Sequence, residues 1–249
     1  MEIDIFNLAA VLIVSCYVLM HSIEVASFAS RAAGKISKRL ALGTTVHHSI
    51  YTGSRFFLVF MLPSLGFIVE SGILLDTYLG IVIFCLISTT ITTSLVVINF
   101  NKYQILFQKI FRTYIVSSLP MAFLKGFFKR REIYLETDDA MKLSFKNLPI
   151  KEFTLSFLAY IFLVNGFFIA FYLSIIYSDY RLTMSQFTAA FHGVCAVVLS
   201  FYLDPMLSRS IDKDNVNGNW QNNMFSILVG RIFAYLFSAV IFIIILLVS

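Results

Sequence analysis

His21, Glu24, His47 and His48 are side chains of the kinds that ligate metals, but their spacing does not make a metal site. No His-Glu-x-x-His run occurs, and the adjacent His47 and His48 would point roughly 100° apart on a helix. The sequence also lacks a Gly-x-Ser-x-Gly elbow, a glycine-rich phosphate loop and a multi-aspartate cluster. What the spacing does produce is two polar stripes. Tyr17, His21, Glu24, Phe28 and Arg31 are separated by three or four residues, which returns them to one face of a helix, and Thr44, His48, Tyr51 and Arg55 do the same. Two neighbouring helices carrying such stripes would face each other or a shared cavity. Arg231, one turn before Tyr235, joins them, as do His192 and Asp204.

Each of these residues also has a plain structural reading. Glu24 could pair with Arg55 or His48 simply to hold helices together, His192 could make one interhelical hydrogen bond, and Asp204-Pro205 reads as a helix end. The hydroxyl run from Ser88 to Ser94 is either back-bonding to the helix or the lining of a hydrophilic path. The small residues Ser185, Ala189, Gly193, Ala196 and Ser200 around His192 permit close helix contact or cavity walls. Convergence favours function. An ionisable residue within a bilayer costs roughly 2.5–3.5 kcal/mol on insertion scales, and several of them gathered toward one leaflet exceed what packing needs.

The elements that must position these residues are transmembrane helices. Of the 249 residues 59% are hydrophobic and 13% charged, and the mean hydropathy is +0.84; an ordinary soluble domain carries roughly 25% charged residues. The apolar runs reach about 20 residues, and in hydrocarbon the backbone must satisfy itself, so the class is an all-α integral membrane protein. Six helices are expected, at about 5–29, 41–69, 77–99, 153–177, 184–207 and 224–248, as one membrane domain over residues 1–249. Cys16, Cys85 and Cys195 fall inside apolar runs and read as small core residues. The first run follows Glu2 and Asp4 where a cleaved signal would start with positive charge, so it reads as a retained helix.

Charge orients the bundle. Sixteen of the 19 Lys and Arg residues lie in segments 30–40, 100–152 and 208–223, whereas the opposite connections hold Arg181 with Glu70, Asp76 and Asp179. Basic loops stay in the cytoplasm, which puts both termini outside. The net charge of +5 is therefore a topology signal and a match to anionic inner-leaflet lipids, with no nucleic-acid partner implied. In the long loop at about 100–152, Tyr103 to Val116 has the pattern of a helix on the membrane surface, ended by Pro120. Lys129-Arg130-Arg131 followed by Glu136, Asp138 and Asp139 reads as a solvated stretch.

His21-Ser22-Ile23-Glu24, Arg31-Ala32-Ala33-Gly34, Ser54-Arg55 and Pro63, followed by Phe191-His192-Gly193, Asp204-Pro205, Asp212 and Gly230-Arg231, resemble in order the motifs of the Amj family, the alternate lipid II flippases of bacteria. The chain departs from that pattern at Glu24, where Asp is commoner, and at His192, where Asn is. The resemblance implies a multi-pass protein of the bacterial cytoplasmic membrane, a transporter and no enzyme, without a cofactor. Its cargo would be the undecaprenyl-pyrophosphate-linked peptidoglycan precursor, moved from inner to outer leaflet beside the cell-wall synthesis machinery, for wall biogenesis and cell shape.

On that reading Arg31, Arg55, Arg231, His48 and Tyr51 contact the pyrophosphate and head group, because guanidinium offers bidentate bonds to phosphate oxygens. His21, Glu24, His192 and Asp204 couple protons or gate access. The first, second, fifth and sixth helices would form the groove. Two alternatives stay open: a membrane-embedded enzyme acting on polyprenyl phosphates, and a proton-coupled transporter of a small anionic solute.

Overall fold

A computed structural model describes residues 5–128, 148–213 and 219–248, and among them it contains helices and no strand. Six stretches are long and apolar enough to cross a membrane: Ile5–Ile36, Leu40–Glu70, Leu75–Ile98, Ile150–Ile176, Ser178–Asp212 and Trp220–Val248. We number the α-helices α1 (Ile5–Ile36), α2 (Leu40–Ser54), α3 (Leu58–Glu70), α4 (Leu75–Ile98), α5 (Phe100–Tyr114), α6 (Leu119–Phe128), α7 (Ile150–Ile176), α8 (Arg181–Val198), α9 (Asp204–Lys213) and α10 (Asn219–Val248).

α1 continues past the expected end near residue 29 because its last turns have partners. Arg31 and Lys35 reach α9, with Lys35 Nζ 2.5 Å from the Ile211 carbonyl oxygen. Lys38, at φ +55°, then takes the left-handed conformation that lets the Arg39 N–H return to the Gly34 carbonyl at 2.7 Å and stop the helix.

The second and fifth spans are each interrupted. Between α2 and α3 the helix tightens to a 3-10 turn at Arg55–Phe57, upstream of the helix-internal Pro63. Between α8 and α9 it widens to a π segment at Leu199–Leu203. Asp204-Pro205, expected as a helix end, instead opens α9. A proline ring clashes with the carbonyl four residues earlier, here that of Phe201, and the extra residue of the π turn relieves the clash. Of the Ser88–Ser94 hydroxyls, those of Thr90, Thr92, Thr93 and Ser94 bond back onto their own helix, for example Thr90 Oγ1 to the Leu86 carbonyl at 2.8 Å and Thr93 Oγ1 to that of Thr89 at 2.6 Å.

Packing repeats in the two halves. α1 packs on α2, α3 and α4, α7 packs on α8 and α10, and the halves meet chiefly through α4 and α10. The contact of α1 with α2 is close: Ser30 Oγ donates to the Gly43 carbonyl at 2.9 Å, and a Cβ on Gly43 would lie 2.7 Å from the Ser30 oxygen and 2.9 Å from Gly34 Cα. The expected surface helix is α5, and it is not alone. Its Phe100, Phe107, Ile110 and Phe111 are buried against α1 and α6, and Arg39 Nη1 holds the Phe111 carbonyl at 2.7 Å. The stretch Lys129 to Asp139, read as solvated, lies outside the described residues.

The interior falls into two apolar clusters stacked along the bundle. One, at the end bearing Glu70 and Asp76, includes Ile13, Met20, Leu65, Leu79, Phe168 and Phe242. The other, at the end bearing the basic segments, includes Ala29, Val46, Phe100, Leu207 and Leu228. Tyr17 and Tyr78 close the first end by donating to successive turns of α7, at the Val164 carbonyl (3.2 Å) and the Phe168 carbonyl (2.7 Å). Between the clusters lies a layer of charge.

The α1–α2 contact leaves no room for a side chain at Gly43, so Gly43→Val is expected to lower stability by about 1–3 kcal/mol. Gly53, with nothing within 4 Å of an added Cβ, is the control. Thermal unfolding in detergent should show a lower midpoint for Gly43→Val and an unchanged or higher one for Gly53→Ala.

Candidate functional site

The charged layer is built on Glu24, whose side chain is fully buried on α1. Its Oε1 lies 3.1 Å from Arg55 Nη2, at the 3-10 turn, and accepts from Ser54 Oγ at 3.2 Å. Its Oε2 pairs with Arg231 Nη2 of α10. His21 Nδ1 stands 3.3 Å from the same oxygen and 2.9 Å from Arg231 Nη2. One carboxylate is thus shared by two guanidiniums, which remain protonated in proteins. With neutral histidine the layer carries a net charge of +1.

The two arginines differ. Arg231 is fully buried and every nitrogen is engaged: Nε donates to Tyr235 Oη at 2.6 Å, Nη1 to Tyr160 Oη at 3.4 Å, and Nη2 to Glu24. Its guanidinium carbon sits 4.3 Å over the Tyr160 ring. Arg55 keeps 23% of its side chain accessible. Its Nη2 donates to Tyr51 Oη at 2.5 Å, its guanidinium carbon lies 4.6 Å over the Tyr51 ring, and Nη1 has no hydrogen-bond partner.

Tyr51 and Tyr160 also line a cavity of about 230 Å³ that opens on the basic side of the layer. Phe28, His47 and His48 wall it on one side, Tyr160 and Ile227 at the back, and Leu199, Ser200, Leu203, Asp204 and Leu207 on the other. It exists because α2 packs principally on α1 and α8 on α7, which leaves the fifth span apart from the second. A second hollow of about 390 Å³ lies next to it, lined by Arg31, Thr44, Thr45, His48, Ser208 and Asp212. The Arg31–Asp204 ion pair stands at the junction, 2.8 Å long, with Arg31 Nη2 also donating to Ser208 at 2.7 Å. The two hollows and this pair form one groove, with His48 lining both parts.

The structure therefore brings together His21, Glu24, Arg55 and Arg231 in the buried layer, and Arg31, His48, Tyr51 and Asp204 in the groove beside it. His192 stands apart from the cavity lining, its ring 4.2 Å from that of Phe167. One contributor was not visible to sequence reasoning: Tyr160 brings the fourth span into the site, yet in sequence it is one aromatic in an apolar run. His47, weighed in the sequence only as a possible metal ligand, is buried on α2, with Nδ1 2.8 Å from Ser27 Oγ, off the stripe that contains His48, and it walls the cavity. Among the described residues no three His, Cys, Asp or Glu side chains gather as a metal site.

Removing one member of a buried ion pair strands the other charge, which costs about 3–5 kcal/mol, whereas loss of Arg55 leaves Glu24 still paired with Arg231. Glu24→Gln and Arg231→Met should therefore depress the unfolding midpoint strongly, and Arg55→Ala only slightly. A large loss for Arg55→Ala in the same thermal-unfolding assay would contradict this ordering.

A protein-family model for Amj, described as "Alternate to MurJ", matches residues 16–247, nearly the whole chain. No curated protein and no solved structure matches it. With six apolar spans and this match, the chain belongs to the Amj family and is a multi-pass protein of the bacterial cytoplasmic membrane.

Proposed function

We propose that this chain is a flippase that carries lipid II, the undecaprenyl-pyrophosphate-linked peptidoglycan precursor, from the inner to the outer leaflet. The observation that carries the reading is a polar groove on the basic half of the bundle, holding Arg31, His48 and Tyr51 and separated by Tyr51 from the Arg55 guanidinium, while the interior of the opposite half is packed with apolar side chains. With the basic segments in the cytoplasm and both termini outside, this is the half that faces the leaflet where the precursor is made.

The residues then have distinct roles. Arg31 and His48 receive the pyrophosphate at the mouth, where a phosphate oxygen competes with Asp204 for the Arg31 guanidinium. Arg55 is the deepest contact: its Nη1, which has no partner, and its Nη2, once it leaves the Tyr51 hydroxyl and Glu24, offer the parallel pair of donors that a phosphate takes bidentately. Arg231 and His21 hold Glu24 in place and do not meet the cargo. The lipid tail stays in the bilayer, because the second and fifth spans leave the groove open along its side.

Expression in bacteria depleted of their essential lipid II flippase tests this. Growth is expected with the parent chain, failure with Arg55→Ala at equal membrane levels, and only partial rescue with Arg55→Lys, which keeps the charge and loses the fork of donors. A well-inserted parent that does not support growth would overturn the lipid II assignment.

A further inference from the structure

Enclosure is what lets a site recognise a ligand, and pockets that engulf a drug-sized ligand measure roughly 300–1,000 Å³. The inner cavity here is about 230 Å³. A disaccharide bearing a peptide is larger than a drug and does not fit. The outer hollow, about 390 Å³, is wider but open at the bundle's end and divided from the first by the Arg31–Asp204 pair. Most of a glycan-peptide head group seated here would hang in water.

The lining chemistry points the same way. Both hollows are walled by helices, and outside the π segment at Leu199–Leu203 their backbone N–H and C=O groups are paired along the helix, so recognition falls chiefly to side chains. Those side chains supply guanidinium, imidazole and hydroxyl groups, and among the described residues neither hollow is lined by an Asn, Gln or Glu. The two carboxylates are Asp204, already tied to Arg31, and Asp212 at the outer rim. Donors for an anion are present, and the mixed donor and acceptor pairs that would read amides and sugar hydroxyls are scarce. Opposite the polar wall, Leu199, Leu203 and Leu207 recur every four residues along the fifth span and face the cavity as an apolar track beside Ile227.

We propose that this groove selects the junction between a diphosphate and a polyisoprenyl chain, with Arg31 and His48 on the phosphates, Arg55 joining them once Tyr51 moves aside, and Leu199, Leu203 and Leu207 on the first isoprene units. It is indifferent to the glycan and peptide beyond. Lipid-linked diphosphates with different head groups are therefore its ligands as a class. The inference deepens the flippase reading and rests on the same site.

A competition experiment on the purified full-length chain separates the two. Labelled lipid II is bound in nanodiscs and challenged with farnesyl diphosphate, which has the junction without a head group, and with the soluble nucleotide-linked muramyl pentapeptide, which has a diphosphate and the muramyl peptide without the isoprenoid. Farnesyl diphosphate is expected to compete within about tenfold of unlabelled lipid II, and the soluble peptide not to compete at about a hundredfold higher concentration. Arg55→Ala should weaken both lipid ligands about tenfold or more, and Leu199→Gln should weaken them equally.

Competition by the soluble muramyl pentapeptide with none by farnesyl diphosphate would overturn the inference and leave the flippase reading standing. Binding of labelled farnesyl diphosphate without binding of lipid II would do the reverse. Binding of neither would overturn both.

Discussion

A single carboxylate held between two guanidiniums sets the terms for this bundle. Glu24 is fully buried in a helix that crosses the membrane, and its counter-charges come from two other helices: Arg55 from the break in the second span and Arg231 from the sixth. Lipid tails are as apolar as leucine, so hydrophobic burial gives such helices little reason to prefer one another. An uncompensated carboxylate does. Only an arrangement that brings the second and sixth spans to the same level of the first satisfies it, and the tyrosines at 160 and 235 complete the shell around Arg231.

From that layer the rest of the asymmetry follows. On one side, Tyr17 and Tyr78 tie the first and third spans to consecutive turns of α7, and the apolar cluster around Phe168 leaves no path. On the other, the second and fifth spans lean on their own neighbours and the groove remains. These two spans are also the ones whose helices are interrupted, by a 3-10 turn at Arg55–Phe57 and a π segment at Leu199–Leu203. Non-α turns within a helix are where it bends with least loss of hydrogen bonding. Each half of the chain thus places its deformable helix against the groove and its regular helices in the core.

The six spans were legible in the sequence because uninterrupted apolar runs admit one solution in hydrocarbon. The polar stripe of α1 was legible because a period of 3.6 assigns residues to a face. That period does not say how one helix is rotated against another. Arg231 and Arg55 look alike in sequence, each an arginine beside a tyrosine four residues away, and only interhelical geometry separates the fully enclosed counter-ion from the one with a free nitrogen. Tyr160 carried no sequence signal for the same reason. Pro205 was read as a stop because proline breaks an α-helix; a π turn before it lets the chain continue, and that alternative depends on how the π segment and α9 pack against α7 and α10.

On the proposed reading, the excess of one positive charge lets such a layer be both a structural anchor and a binding element. If Glu24 had a single arginine, any anion that drew the arginine away would strand a carboxylate in the bilayer, at about the 3–5 kcal/mol cost of breaking a buried pair. With two, Arg55 can turn toward a phosphate while Arg231, enclosed and fully bonded, keeps Glu24 neutralised. The exchange replaces one ion pair by another and takes the layer from a net charge of +1 toward neutrality. It is available only to the arginine at the helix break, whose backbone is the more deformable and whose side chain is already partly accessible. In the proposed flippase, anchor and contact are therefore divided between two residues of the same type, and burial decides which is which.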